Sequence, residues 1–292
     1  MASRALVMGG GGVVGVAWET GILKGLRDAG VDPAAAELIV GTSAGSITGT
    51  QVRAGRSLDE LFAAQTAPDS GEIRQQMANL DVAALTALFK TWSAAPEMTE
   101  AVAREIGQMA LAAPTVDEAS WLGAIDAALG VSDWPAGGLI AVAVDAESGT
   151  LAAWDRASGA PLLPAVASSC AVPGMFPPVT IDGRRYMDGG VRSGTNADLA
   201  RGHDLVVIVA PIGARPEGIG RIARQALDAE AHELRAAGAA VEVVLPDEDA
   251  LAAFGPDLMN PAQREPAAHA GLRQGRETAE RLRSLWSAAA LR

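Results

Sequence analysis

Two glycine-rich junctions near the N-terminus, each set between a short apolar run and a helical pattern, constrain this chain more than any other feature. Ala5 to Met8 runs into Gly9-Gly10-Gly11-Gly12. A helical pattern follows from Gly15 to Ala29, with Val16, Leu23 and Leu26 on one face and Gly30 as its stop. Leu38-Ile39-Val40 runs at once into Gly41-Thr42-Ser43-Ala44-Gly45 and a further helical stretch to about Ala54. Strand, helix, strand, helix with tight turns between them is how a parallel α/β sheet opens.

From 55 to 138 the pattern changes. No β-branched run appears, and helix starts recur at Ser57 with Glu60 and at Thr115 with Glu118, both at capping-box spacing. This predicts a helical insert over residues 55–138. Strand signals return at Leu139 to Val144 and Leu151 to Trp154, joined through Ser148-Gly149 as a hairpin, so the expected sheet is mixed but mostly parallel. Leu205 to Val209 and Val241 to Leu245 read as later strands, with a helix between them, and the stretch after Pro261 reads as an amphipathic helix. With 292 residues and 49% apolar content, a single α/β domain spanning 1–292 is the expected organisation.

Charge narrows the partners. Acidic residues outnumber basic ones by 35 to 23, a net charge of -12, which repels nucleic-acid backbones and anionic membrane surfaces alike. Nucleic acid is therefore excluded as an expected partner. No run of about 18 uninterrupted apolar residues occurs, so no transmembrane segment is expected and any peripheral lipid contact has to be made from the aqueous side. The lone Cys170 cannot form an internal disulfide, which fits a reducing, cytoplasmic setting. The sequence fixes no oligomeric state.

The chemistry concentrates at three places. Gly41 to Gly45 fits GxSxG between a strand and a helix, where glycines relieve crowding at a strained turn and the Ser43 hydroxyl is left at a helix N-terminus. The plainer alternative is a glycine-rich turn with a serine cap. Gly10-Gly11-Gly12-Val13-Val14-Gly15, one unit earlier, places successive N–H groups at another helix start, a nest able to hold an oxyanion. The same residues satisfy GxGxxG, but a dinucleotide loop expects an acidic residue at the end of the second strand. There Gly41 and Thr42 stand instead, and Asp32 and Glu37 come too early. Third, Asp188 follows the short strand-like Tyr186-Met187 and precedes Gly189-Gly190, where another backbone can approach closely.

Taken in this order, residues 10–15, 41–45 and 188–190 resemble the signature of the patatin-like phospholipase family, GGGx(R/K)G, then GxSxG, then DG(G/A). Ala165 to Pro178 is also similar to the family's stretch before that last motif. The resemblance implies a three-layer α/β/α fold and hydrolysis of fatty acyl esters of lipids by a Ser-Asp dyad without histidine. On it, Ser43 is the nucleophile, Asp188 the base, and Gly10, Gly11 and Gly12 the oxyanion hole, with no cofactor. The chain departs from the family at Val14, which stands where an arginine or lysine is usual.

The remaining candidates read more plainly. His203, His232 and His269 are expected at the surface. A Ser-His-Asp thioesterase or peptidase could draw on His232 or His269, but such folds place several strands before the nucleophile, and here Ser43 follows the second. A catalytically weak lipid- or protein-binding relative is the other alternative, motivated by Val14. No cluster has metal-ligand spacing, so no metal is expected. Cys170 reads as a small core residue. Trp92, Trp121 and Trp134 read as packing residues, with an acyl-pocket lining as the functional alternative.

Overall fold

The computed structural model describes residues 3–68, 71, 81–215 and 217–291. Eight strands form one sheet: β1 Arg4–Met8, β2 Leu38–Thr42, β3 Gly138–Asp145, β4 Leu151–Trp154, β5 Val179–Ile181, β6 Arg184–Asp188, β7 Leu205–Val209 and β8 Ala240–Val244. Their order is β5-β6-β3-β2-β1-β7-β8, with β4 pairing β3. The neighbours among β1, β2, β3, β7 and β8 run parallel, and β4, β5 and β6 pair antiparallel, the mixed sheet expected.

The helices are α1 Gly12–Asp28, α2 Ala44–Arg53, α3 Leu58–Thr66, α4 Val82–Ala94, α5 Glu100–Ala112, α6 Glu118–Leu129, α7 Leu162–Ser169, α8 Gly218–Ala236, α9 Glu248–Phe254 and α10 Arg264–Leu291. They cover both faces of the sheet. Successive strand residues point to opposite faces, so a strand covered on both sides must be apolar throughout. In β1, Leu6 and Met8 pack with Trp18 and Ile22 of α1 and Ala268 of α10, while Ala5 and Val7 pack with Leu227 and Leu234 of α8. Three layers, α/β/α, result.

Among the described residues of 55–138 the regular elements other than the start of β3 are helices, and these do not stay together. Leu88 and Trp92 of α4 and Ile106 of α5 pack beneath Val144 and Met187 on the α8 face, whereas Trp121 and Ile125 of α6 pack with Ile47 of α2 on the opposite face. One expected cap holds: the Ser57 side chain accepts the Glu60 N–H. The other is displaced. α6 is capped by Asp117, which accepts the Ser120 N–H at 2.8 Å, and Thr115 lies outside the helix. Asp117 sits directly before the first helical residue, where a short carboxylate reaches the free N–H groups, and Thr115 is two residues too early.

One register relationship positions the site. β2 pairs the first part of β3 up to Thr42 opposite Val142, and β6 pairs its last part from Asp188 opposite Ala143. Because β4 occupies the other edge over Ala141 to Val144, β6 takes over from β2 on a shared edge. The two strands run head-on, so the residue after Thr42 meets the last residue of β6.

Candidate active site

Ser43 sits at that meeting point with φ 53° and ψ -118°, a backbone conformation L residues rarely adopt and one that costs about 1–3 kcal/mol. Its surroundings over-determine it. The Ser43 N–H donates to Ser169 Oγ at 3.0 Å, and its carbonyl accepts from the Ser46 N–H at 2.8 Å, the Ser46 hydroxyl at 2.7 Å and the Cys170 thiol at 3.3 Å. Gly45 is required for the same reason: a Cβ there would stand 2.1 Å from the Met8 carbonyl oxygen. Ser169 and Cys170 lie in the Ala165 to Pro178 stretch that resembles the family, but their contact with this turn is not readable from the chain order. Both follow from the end of α7 reaching beneath the turn, a contact between segments distant in the chain.

Asp188 is 3% exposed. Its Oδ1 accepts the Gly190 N–H at 2.7 Å. The Ser43 hydroxyl lies close enough to act on the carboxyl, yet Oδ2 has no hydrogen bond of ordinary geometry. Such a contact tightens when substrate arrives. Burial pushes the carboxyl up to about 7, against the opposing pull of the Ser43 hydroxyl and the Gly190 N–H. An ordinary aspartate is a poorer base than imidazole by about 2.6 pK units, or about 3.5 kcal/mol. At Asp188 burial removes that handicap.

The glycine loop faces Ser43, but not as expected in every member. The Gly10 N–H donates to the Gly194 carbonyl at 2.8 Å, so Gly10 is already engaged in this structure, unlike the free donor expected of it. Its absent side chain matters little, since a Cβ there would stand 3.6 Å from the Ser43 Cβ, ordinary contact. Gly11 is the N-cap of α1 and Gly12 its first residue, and among the described residues no acceptor pairs with either N–H. Gly12 has φ 61°, and a Cβ there would meet the Leu258 carbonyl oxygen at 2.7 Å.

Val14 is also corrected. The helix begins at Gly12 rather than Gly15, which turns Val14 inward: it is fully buried beside Met8 and Trp18 and lines neither cavity at Ser43. A missing positive charge at this position is therefore no gap in the site.

Behind Ser43 and Asp188, buried Asn196 donates from its side-chain amide to Thr42 Oγ1 at 3.0 Å, to the Ser193 carbonyl at 2.8 Å and to the Gly189 carbonyl at 3.3 Å. Glu230 supports the same loop by accepting the Thr195 hydroxyl at 2.7 Å and the Ala197 N–H at 2.8 Å. Asn196 and Glu230 were not singled out from the sequence, where nothing links them to the motifs.

The histidines lie away from Ser43. His203 precedes β7 at the N-terminal edge of the parallel strands, opposite the edge that Ser43 occupies. It is partly buried and bonds the Ala200 carbonyl, whereas His232 is exposed on α8 and His269 is exposed on α10 with its ring edge against Phe62. None lines a cavity at Ser43. Burial pushes the Cys170 thiol up, away from thiolate chemistry. Among the described residues no group of three or more His, Cys, Asp or Glu could hold a metal ion, and no helix is long and apolar enough to cross a membrane.

Two cavities open at Ser43. One of about 720 Å³ is bordered by Asp188, Gly10, Gly11 and Trp92. The other, of about 350 Å³, holds Trp121 stacked on Phe176 with centroids 3.9 Å apart. Trp134 packs in the core and donates to the Ala160 carbonyl at 2.7 Å.

Solved structures similar to the chain include the following two. VipD from Legionella pneumophila matches with a TM-score of 0.48 and 14% identity, over 96% of this chain and 67% of that one. The type III effector protein ExoU matches with a TM-score of 0.42 and 14% identity, over 96% of this chain and 53% of that one. No curated protein sequence matches the chain. The model of the family described as patatin-like phospholipase matches residues 6–201, which hold the glycine loop, the serine turn and the aspartate, so this chain belongs to the patatin-like phospholipase family.

Proposed function

We propose that this protein hydrolyses carboxylic esters of lipids through an acyl-serine intermediate on a Ser43-Asp188 dyad. The observation that carries the reading is the strained Ser43 turn set beside a buried carboxyl raised to about 7. Asp188 takes the Ser43 proton as Oγ bonds to the ester carbonyl carbon. The oxyanion is held by the Gly11 and Gly12 N–H groups, reinforced by the positive end of α1. Collapse breaks the bond to the alcohol oxygen, which leaves with the proton from Asp188. Water then gives its proton to Asp188, attacks the acyl carbon and releases the acid, and Ser43 recovers its proton. No cofactor enters.

Ser43→Ala tests this. The variant should keep its melting temperature within a few degrees, lose fluorophosphonate labelling and lose ester turnover by more than about a thousandfold. Substantial turnover in the folded variant removes Ser43 from the reaction.

A further inference from the structure

Proton delivery gives the two cavities different tasks. Asp188 borders the larger cavity and not the smaller, while Ser43, Gly12, Val172 and Met259 border both. In the acyl-serine reading, on which this inference rests, the leaving oxygen must receive its proton from Asp188. The alcohol therefore lies on the larger cavity's side. With the carbonyl oxygen turned to the glycine loop, the acyl chain is directed the other way.

We infer that the smaller cavity, between α2 and α6, is an acyl-chain pocket whose length selects medium-chain esters. Its walls have the required form. Ser43, Ile47 and Gln51 follow at intervals of four along α2, and Trp121, Ile125 and Ala128 at intervals of four and three along α6, so each set makes one stripe facing the cavity. Gln51 closes the end remote from Ser43: its amide donates to the Ala128 carbonyl at 2.9 Å, tying the two helices together. Eight residues of helix separate Ser43 from that bridge, about 12 Å. The cavity along that span measures about 350 Å³, and its length, not its volume, sets the acyl limit. The larger cavity, with Arg192 and Arg215 beside Phe89 and Trp92, has room for a bulky alcohol of mixed polarity.

The test uses two ester series on the full chain. One varies the acyl group of p-nitrophenyl esters from acetyl through palmitoyl, and the other varies the alcohol of acetate esters from ethanol through dodecanol. The parent should prefer decanoyl or lauroyl over palmitoyl. Ile47→Trp fills the cavity near Ser43 and should lower the kcat/KM ratio of decanoate to butanoate by at least about tenfold. Gln51→Ala removes the end wall and should raise the ratio of palmitate to decanoate by about fivefold. Opposite shifts from two variants cannot come from general loss of structure, and if Ile47→Trp does not fold, Gln51→Ala decides alone. Acyl profiles that superimpose on the parent, or shifts in the alcohol series instead, overturn the assignment. A parent inert to every ester and to a small fluorophosphonate overturns the acyl-serine reading beneath it, and is told apart because Ser43 itself is then unreactive.

Discussion

Asn196 donates a hydrogen bond to Thr42, the residue before Ser43, while the same amide reaches the carbonyl of Gly189, the residue after Asp188. One buried side chain thus spans the gap between the segments that carry Ser43 and Asp188. Its cost is a left-handed backbone at φ 50°. Removing one partner of such a bond leaves a buried polar group unsatisfied, worth about 1–3 kcal/mol.

Thr42→Val keeps the shape and removes the acceptor. We expect kcat to fall by about tenfold with KM little changed, because a small displacement of the dyad acts on the transition state more than on binding. Thr42→Ser should restore turnover. Parent-like kcat in Thr42→Val would show that the bridge is structural only.

Turnover should rise with pH through about 7, since Asp188 must be ionised to accept the Ser43 proton. That acid limb falls where imidazole also titrates, near 6.5. The profile alone therefore cannot separate the two bases. Replacing His203, His232 and His269 together by glutamine should leave the limb in place and retain most activity. A folded but inactive triple variant would return a histidine to the mechanism.

Asp188→Asn should lower kcat by at least about a hundredfold, as loss of a general base does. Its stability should move the other way. The folded carboxyl titrates at about 7 against an ordinary 3.8, so between those values the folded state holds a proton that the unfolded state has lost. Parent stability therefore falls as pH rises through that window, by up to about 4 kcal/mol for this group. Asparagine carries no such charge and can still accept the Gly190 N–H. Thermal melts should show Asp188→Asn more stable than the parent at pH 8, with the difference closing toward pH 4. An equal difference at both pH values would mean that Asp188 is not buried as a charge.

Within the glycine loop the effects should be ordered. Gly10→Ala meets only ordinary contact and should retain activity within about tenfold. Gly12→Ala faces both a positive φ and the Leu258 carbonyl, and should lose several kcal/mol of stability or fail to fold. Equal tolerance of both would contradict the loop geometry.

Val14→Arg should destabilise rather than activate. It would place a cation among Met8 and Trp18, and an unpaired buried charge costs several kcal/mol. A variant that melts like the parent and turns over faster would put Val14 at the site after all.

The sheet and the serine turn are legible because each rests on contiguous residues: the short apolar run Leu38 to Val40 leads directly into Gly41 and Gly45, which mark a crowded strand-to-helix turn. Phase was harder. Starting α1 at Gly15 rather than Gly12 left Val14 outside the helix, and three residues of helix rotate a side chain by most of a turn. The Gly10 N–H is taken by the Gly194 carbonyl, a partner that only the folded chain supplies. Ser169, Cys170, Asn196 and Glu230 share that dependence on distant contacts, and Asn196 and Glu230 carry no local pattern.

The hand-over from β2 to β6 along one edge of β3 separates two kinds of change. Neighbouring residues of a single strand, Val142 and Ala143, set the spacing of Ser43 and Asp188, so that spacing does not depend on how much chain is looped out before β3. Helices α4 and α6 come from that loop and wall the two cavities. Exchange of those helices is therefore a route to new ester preferences that leaves the reacting atoms where they are, and a natural starting point for redesign.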